Sequence, residues 1–313
     1  MGELRGLHRV ITLLEPPRPA GLTSGGFRYQ ERVVTALGSA AQRLQVSPEN
    51  LYERARQLRR EQPQAAVLVD GWFAELTQRP LPPGVIALLH APPSLEPWGS
   101  NVRRAIATGT PTADAVRDDV DQLTIVRPGI DDCFKPAPRG GDQAIALICA
   151  GTVCAAKGQR RLVGALRGAT APWRLTIVGS TSYDPAEVER LRRDADGLPV
   201  TIRDAVRAEQ LADMYVEHDL FVTLSCNESF GMAAAEAAAS GLPLLGLATG
   251  ELDTFGHERA RWILPTSADD CDIQDTLHRL LEEPGALRDL RAQRAPPPRK
   301  WQDAANELSA ACS

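Results

Sequence analysis

The sequence predicts an α/β protein of two domains, each built on a parallel β-sheet that is covered by helices on both faces. Ten short apolar runs alternate with helical patterns, which is typical of βαβ units. The runs are apolar for nearly their whole length, as expected for strands buried on both faces. The chain has 313 residues, more than one hydrophobic core usually serves, so we expect two domains of about 150 residues.

The predicted strands form two series in chain order. The first series comprises residues 8–15, 65–71, 84–91, 103–109 and 123–129, and the second comprises residues 144–151, 173–180, 198–204, 219–225 and 242–248. Helical patterns between the strands predict helices such as 27–44, 113–120, 185–197 and 230–240, with a last amphipathic helix around Trp301.

The stretch PGIDDCFKPAPRGGDQ (128–143) is rich in Pro, Gly and Asp, and we interpret it as the interdomain linker. We therefore predict an N-terminal domain at 1–136 and a C-terminal domain at 137–295. The segment APPPRK marks a break, and we expect the helix in 296–313 to return toward the N-terminal domain.

The charge of the chain argues against general nucleic-acid binding. The formal net charge is -5, and phosphate contacts need a basic surface. No apolar run approaches the roughly 20 residues of a membrane span, and the N-terminus lacks the pattern of a signal peptide, so we expect a cytoplasmic protein. The six cysteines include no C-x-x-C pair and fit small core residues better than metal ligands or disulfides.

Two acidic residues stand out in NESFGMAAAEAAASGLP (227–243), after a predicted strand. Glu228 precedes the predicted helix and Glu236 lies inside it. A helix N-terminus offers unpaired N–H groups to a diphosphate, and carboxylates accept hydrogen bonds from sugar hydroxyls. An acidic residue at this place also stabilises a helix without any function, so spacing alone leaves both interpretations open.

A resemblance to a known family favours the ligand-binding interpretation of these two acids. The run HDLFVTLSCNESFGMAAAEAAASGLPLLG resembles the retaining glycosyltransferases of family 4, which carry two acids separated by seven residues at this place. The segments GGFRYQERV, LLHAP, PGID, GTVCAAKGQ and RKWQDAA agree in order and spacing. The resemblance implies a GT-B architecture, in which two Rossmann-like, doubly wound domains face a central cleft. It also implies transfer of a sugar from a nucleotide-diphosphate sugar with retention of anomeric configuration.

The same resemblance assigns roles on the donor side. Glu236 is expected to hold the donor ribose and Glu228 the hydroxyls of the transferred sugar. Lys157 is expected to neutralise the diphosphate, which gains negative charge as it leaves. The donor phosphate and sugar are expected to meet the start of the helix at Ser229, Phe230, Gly231 and Met232, and the nucleobase to lie near Arg203, Ala205 and Val206.

The chain departs from the family near Lys157. Many relatives carry a basic residue five positions earlier or immediately before the lysine, where this chain has Thr152 and Ala156. Arg160, Arg161 or Arg28 could replace that charge, and the sequence leaves the choice open.

In the N-terminal half, Gly25 and Gly26 resemble the family's glycine loop, which lets the backbone approach the donor; an ordinary turn explains them as well. His90 ends a predicted strand, and the resemblance implies that it lies near the sugar and acceptor as a catalytic residue; a core histidine is the alternative. Thr110 and Thr112 resemble a family segment that faces the acceptor, although helix capping accounts for these threonines equally well. Arg28 is a further candidate for the acceptor side.

No residue stands out as a covalent nucleophile, and for relatives that lack one the resemblance implies a front-face reaction. We see no Asp-x-Asp metal motif of the kind used by the other main glycosyltransferase fold, so we predict no required metal and no cofactor besides the nucleotide sugar. The alternative is a degenerate module that binds the nucleotide sugar with little turnover, suggested by Thr152. A dehydrogenase is disfavoured because no G-x-G-x-x-G follows the first strand of either half.

The acceptor is not specified by the sequence, and a small molecule, glycan, peptide or lipid-linked acceptor all remain open. Basic residues in 52–62 and 101–105, with Trp72 and Trp98 nearby in sequence, suggest peripheral contact with an anionic membrane. A solvated helix face explains the same charges, and we do not favour membrane contact.

Overall fold

The computed structural model describes residues 10–19, 22, 24–92, 95, 98, 101–137, 144–291 and 297–313. Contacts within the chain divide it into two compact units. The first unit comprises the residues up to Arg18, Gly26–Gly129 and Arg299–Ser313, and the second comprises Pro19–Gly25 and Ile130–Pro298. Among the described residues, no helix is long and apolar enough to cross a membrane.

The first unit contains a six-stranded, wholly parallel sheet in the order β2-β1-β3-β4-β5-β6. Its strands are β1 Ile11–Glu15, β2 Ala41–Gln45, β3 Ala66–Asp70, β4 Ile86–Leu89, β5 Arg104–Ala107 and β6 Gln122–Ile125. Its helices are α1 Gly25–Leu37, α2 Leu51–Glu61, α3 Phe73–Leu76, α4 Thr110–Val116 and the C-terminal helix, α11 Trp301–Ala311.

The C-terminal helix is part of the first unit. Ala304, Leu308 and Cys312 share one buried cluster with Ile11 of β1 and Tyr29 of α1. The approach is close at the start of α11, because a Cβ on Gly129 would lie 2.3 Å from the backbone nitrogen of Trp301. Apolar burial along one face therefore holds α11 on this unit.

The second unit has its own six-stranded parallel sheet, in the order β12-β11-β10-β7-β8-β9. Its strands are β7 Ile145–Ala150, β8 Trp173–Val178, β9 Val200–Arg203, β10 Leu220–Thr223, β11 Leu244–Leu247 and β12 Arg261–Leu264. Its helices are α5 Gln159–Ala165, α6 Pro185–Ala195, α7 Ala208–Val216, α8 Met232–Ala239, α9 Asp270–Glu282 and α10 Pro284–Arg291.

Each of the ten predicted strands overlaps an observed strand, although residues 8 and 9 lie outside the described part. Two edge strands, β2 and β12, were missed. Their residues are half-buried or exposed, so they lack the apolar run that marks a strand buried on both faces.

Two helix predictions need correction. The predicted helix 27–44 ends at Leu37, where Gly38 adopts a φ of 57° and the chain turns into β2. The helix predicted at 113–120 runs from Thr110 to Val116.

The contacts also place the division between the units after Gly129, whereas the sequence predicted it after residue 136. Ile130 and Phe134 are buried in a core cluster of the second unit, which explains the difference. Residues 138–143 of the predicted linker and the predicted boundary at 295–296 lie outside the described residues.

Candidate functional site

Both sheets have a point where the strand order reverses. In the second unit β7 lies between β10 and β8, and in the first unit β1 lies between β2 and β3. Ligands of open parallel sheets bind at the carboxyl ends of the strands flanking such a point. The segments after β7 and β10, and those after β1 and β3, are therefore the first places to examine.

In the second unit, Lys157 follows β7 at the end of a short 3-10 turn, Ala155–Lys157. The next residue, Gly158, has a φ of 68°, and a Cβ there would lie 2.4 Å from the carbonyl oxygen of Leu224. Only glycine fits a left-handed conformation this close to another backbone. Gly158 thus brings the segment carrying Lys157 against the segment that follows β10.

Glu228 lies in that neighbouring segment and pairs with Lys157. The distance from Lys157 Nζ to Glu228 Oε1 is 2.5 Å, and the two side chains are 30% and 22% exposed. A half-exposed ion pair is stabilised weakly and can exchange partners with a charged ligand. The pair joins two predicted donor-binding residues at the point where the sheet order reverses.

Helix α8 begins just beyond Glu228. Its N-cap is Gly231, with a φ of 100° and no side chain to cap the first turn. The sequence predicted a start at 230, and the left-handed glycine moves the observed start to Met232. Phe230 is buried and packs edge-on against Phe255, with ring centroids 4.9 Å apart, and Ser229 is also buried. The backbone around this helix start is therefore firmly positioned.

Glu236 lies in the second turn of α8 and is only 1% exposed. Alanines surround it on the helix and pack into the core of the second unit. Burying a carboxylate is costly unless polar groups meet it. The two acids thus differ in setting, with Glu228 half-exposed and Glu236 buried.

The loop after β11 closes the same region. A Cβ on Gly250, whose φ is 63°, would lie 2.5 Å from the carbonyl oxygen of Phe230 and 3.0 Å from Cβ of Glu228. The amide of Glu251 donates to that same carbonyl at 2.8 Å. Gly250 therefore lets the loop after β11 contact the segment that carries Glu228.

The predicted nucleobase region lies after β9. Arg203 and Ala205 are exposed and Val206 is half-buried. Asp204 between them accepts hydrogen bonds from the backbone amides of Thr181 and Ala205, which lowers the pKa of its carboxyl group. Asp204 thus ties the loop after β9 to the loop after β8.

Two residues that could have replaced the missing charge near Lys157 are used elsewhere. Arg160 pairs with Asp194 on α6 at 2.5 Å. Arg161 pairs with Asp270 at the start of α9, also at 2.5 Å. Thr152 is itself buried, and Gln159 donates a hydrogen bond to its carbonyl oxygen at 3.0 Å. Both arginines therefore stabilise contacts of α5 with other helices.

In the first unit, His90 follows β4 and is enclosed by α1. A Cβ on Gly26 would lie 2.9 Å from Cγ of His90, so the imidazole occupies the space that a side chain would fill. Tyr29 contacts the ring edge-on, with centroids 5.2 Å apart. Burial lowers the pKa of His90 below its usual value, although the nearby Asp70 carboxylate opposes this shift.

Gln30 connects His90 to Asp70. Its Nε2 donates to Oδ2 of Asp70 and lies 3.0 Å from Nε2 of His90. The other oxygen of Asp70, Oδ1, accepts the backbone amide of Trp72 at 2.9 Å. Gln30 and Asp70 are 1% and 3% exposed. The three side chains form a hydrogen-bonded cluster, with Gln30 and Asp70 buried and His90 half-buried, at the point where the first sheet reverses its order.

The remaining predicted residues are more dispersed. Thr110 accepts a hydrogen bond from Arg127 at 3.0 Å, whereas Thr112 is fully buried in α4. Capping by these threonines, the alternative left open by the sequence, is wrong, because Gly109 is the N-cap and the helix begins at Thr110. Arg28 is half-buried on α1. Gly25 groups with the second unit, where a Cβ on it would lie 3.1 Å from Cγ of Met232.

Sequence reasoning missed Gln30 and Asp70. Gln30 lies on the buried face of α1 with Phe27 and Val33, three residues away on either side. A polar residue on an apolar helix face signals a buried partner. Asp70 ends an otherwise apolar strand, the same position that singled out His90.

Comparison with known proteins finds a family similarity in the second unit. Residues 144–283, which span β7 to α9, match the family described as glycosyl transferases group 1. Through this region the chain is similar to the group 1 glycosyl transferases. The matched region contains Lys157, Glu228 and Glu236, and the predicted family resemblance is confirmed.

Curated relatives of this chain are named D-inositol 3-phosphate glycosyltransferases. That of Xylanimonas cellulosilytica is 32% identical over 208 residues, which is 60% of this chain and 50% of the relative. That of Mycolicibacterium smegmatis is 29% identical over 191 residues, which is 56% of this chain and 44% of the relative. The chain spans about half the length of the curated relatives it matches.

Solved structures establish the fold of the chain over nearly its whole length. WaaG, a glycosyltransferase involved in lipopolysaccharide biosynthesis, superposes with a TM-score of 0.68 at 14% identity, covering 96% of this chain and 95% of WaaG. Anabaena HepE in complex with UDP and glucose has a TM-score of 0.68 at 14% identity, covering 97% and 99%. The predicted GT-B class, with two parallel-sheet domains, is confirmed.

Proposed function

We propose that the protein is a retaining glycosyltransferase that moves a sugar from a nucleotide-diphosphate sugar to an acceptor. The observation that carries the proposal is the pair formed by Lys157 and Glu228 beside the uncapped start of α8, inside the region that matches the family. Cationic and N–H groups are brought together there at the reversal point of a parallel sheet, which suits a diphosphate.

Lys157 would supply the largest electrostatic contribution to stabilising the leaving diphosphate. Without a donor, its ammonium group is neutralised by Glu228 at 2.5 Å. A bound diphosphate would take over Lys157, and the released carboxylate could accept hydrogen bonds from sugar hydroxyls. As the glycosidic bond breaks, the leaving diphosphate gains charge, and Lys157 together with the N–H groups of α8 would stabilise it.

The buried Glu236 would bind the ribose of the donor. A ribose presents hydroxyl donors, and hydrogen bonds to them compensate for the cost of burying a carboxylate. Retention would follow from a front-face reaction, in which the departing phosphate accepts the proton of the acceptor hydroxyl. No divalent metal is required for this proposal, because Lys157 and the helix N-terminus provide the positive charge.

The donor is identified first, by thermal stabilisation with UDP, ADP, GDP, CDP and dTDP. A nucleotide at one hundred times its dissociation constant adds about 2.7 kcal/mol to stability. We expect nucleotides of one base to raise the melting temperature of the wild type and to have no such effect on Glu236→Ala. UDP leads the panel because HepE was solved with it. Absence of stabilisation by every nucleotide would contradict the proposal.

Transfer is then tested with the matching nucleotide sugars, in the presence of EDTA, using D-inositol 3-phosphate as the first acceptor because the curated relatives carry that name. NMR of the product gives the anomeric configuration, and retention is expected. Inversion would exclude the front-face mechanism. Nucleotide binding without transfer or hydrolysis, across an acceptor panel, would instead indicate a module that binds the donor without turnover.

A further inference from the structure

The cluster of Asp70, Gln30 and His90 in the first unit has a defined hydrogen-bond direction. A carboxylate accepts hydrogen bonds and does not donate them, so the group facing Oδ2 of Asp70 must be the NH₂ of Gln30. The backbone amide of Trp72 holds the other oxygen of Asp70 and prevents the carboxylate from turning. The orientation of the Gln30 amide follows from these two contacts.

The second N–H of the same amide group points toward His90. Nε2 of Gln30 lies 3.0 Å from Nε2 of the imidazole, and both Gln30 protons are donors. The imidazole nitrogen must therefore accept, which leaves the ring proton on Nδ1. A protonated His90 would set two donors against each other, and reversing the amide would set its oxygen against the Asp70 carboxylate.

The ring is also fixed by packing. Gly26 lies against Cβ, Cγ and Cδ2 of His90, at 3.0, 2.9 and 3.1 Å from a Cβ built on the glycine, and Tyr29 contacts the ring edge-on. Cδ2 and Nε2 belong to one edge of the imidazole and Nδ1 to the other. Among the described residues, the titratable side chains around the ring are Asp70 from β3 and Tyr29 from α1.

We propose that Gln30, anchored by Asp70, is a positioning residue that holds His90 as the neutral Nδ1–H tautomer, so that His90 donates a hydrogen bond to a substrate hydroxyl and does not act as a general base. The tautomer rests on the geometry of the first unit alone. The role toward a hydroxyl rests on the proposed function.

NMR of the full chain labelled with ¹⁵N-histidine tests the tautomer without any substrate. His90→Asn assigns the resonances among the five histidines. We expect wild-type His90 to show the Nδ1–H pattern and to stay neutral at acidic pH where free histidine is protonated. An Nε2–H pattern in the wild type would overturn the proposal directly.

Two variants separate the hydrogen bond from the shape of Gln30. Gln30→Met keeps a similar volume but removes both N–H donors, and we expect mixed tautomers. Gln30→Glu offers an acceptor to Nε2, and we expect the Nε2–H form with the pKa of His90 raised by at least one unit. An unchanged tautomer and pKa in both variants would overturn the proposal, and the wild-type spectrum remains decisive if either variant fails to fold.

Kinetics test the role toward substrate. In Gln30→Glu we expect kcat/KM to fall by about 10- to 100-fold, mostly through kcat, with a changed acid limb of the pH profile. A rise in KM alone, with an unchanged pH profile, would indicate a merely structural role. If the protein transfers no sugar but shows the predicted tautomer, the proposed function is wrong and the tautomer assignment is retained. If it transfers sugar but shows the opposite tautomer, only the inference about Gln30 and His90 is wrong.

Discussion

The two units place polar groups at equivalent points of their sheets but stabilise them in different ways. In the first unit, Asp70 and Gln30 are nearly inaccessible and hold His90 through hydrogen bonds. In the second unit, Lys157 and Glu228 remain 30% and 22% exposed, and glycines set their position. A buried network is rigid because leaving any member unpaired is costly, whereas a half-exposed ion pair can exchange partners. The comparison indicates a fixed group in the first unit and an exchangeable one in the second.

The largest effect is expected where the exchangeable pair is broken. Lys157→Ala should lower kcat/KM for sugar transfer by about 10² to 10³, because one stabilising charge on the leaving group is lost. Steady-state kinetics with the donor that the nucleotide panel selects measures this loss. Arg160→Ala removes the same charge from a side chain that pairs with Asp194, and should change kcat/KM by only a few-fold. Equal losses in both variants would contradict a specific role for Lys157.

The glycines of the second unit provide the next test. Gly158 and Gly168 both have positive φ, of 68° and 79°, but only Gly158 is crowded by another backbone, the carbonyl of Leu224. Gly168→Ala should cost about 1–2 kcal/mol for the conformation alone. Gly158→Ala should cost roughly 1–3 kcal/mol more, because the backbone must also move. Urea denaturation of both variants measures the difference, and equal losses would mean that the close approach is unimportant.

The buried cluster of the first unit predicts a pH dependence. Because burial lowers the pKa of His90 in the folded state, the unfolded state binds its proton more readily below the usual value of 6.5. Stability should therefore fall as pH decreases through 6.5, by at most about 1.4 kcal/mol per pH unit. Denaturation of the wild type and His90→Asn from pH 7.5 to 5 gives the comparison. A wild type no more acid-sensitive than His90→Asn would refute the prediction.

The smallest effect is expected at Asp204. Its pKa is lowered by two backbone amides, so its contribution is present above 3.8 and lost as pH falls below that value. The side chain is exposed, and Asp204→Ala should change stability by no more than about 0.5 kcal/mol. Donor KM should rise a few-fold if the loop lies near the nucleobase. A large loss of stability would show that Asp204 supports more than this loop.

The fold was largely predictable from local pattern. All ten apolar runs overlap observed strands. Eight of these strands are buried over nearly their whole length, as apolar composition predicts, and β6 and β9 are partly exposed edge strands. The edge strands β2 and β12 were not predicted, because their partial exposure permits both polar and apolar residues within the strand. The division between units moved to Gly129 because Ile130 and Phe134 pack into the second core, and a Pro- and Gly-rich composition does not reveal that packing.

The candidate site was partly predictable. Glu228, Glu236, Lys157 and His90 all follow or begin elements whose ends face a ligand in parallel-sheet proteins, and spacing identified them. Gln30 was missed because its meaning depends on residues forty and sixty positions away. Whether Arg160 or Arg161 replaces the missing positive charge near Lys157 could be decided only when their partners on α6 and α9 were known.

The sequence by itself determined the class of fold, the segments that end at the carboxyl edge of each sheet and the family resemblance, because these depend on periodicity and short-range spacing. The tertiary structure alone decided which polar groups meet: the contact of Lys157 with Glu228 and the chain of hydrogen bonds from Asp70 through Gln30 to His90. Such contacts join elements distant in sequence, and strand order and glycine-permitted close approach set them. Local patterns do not encode that geometry.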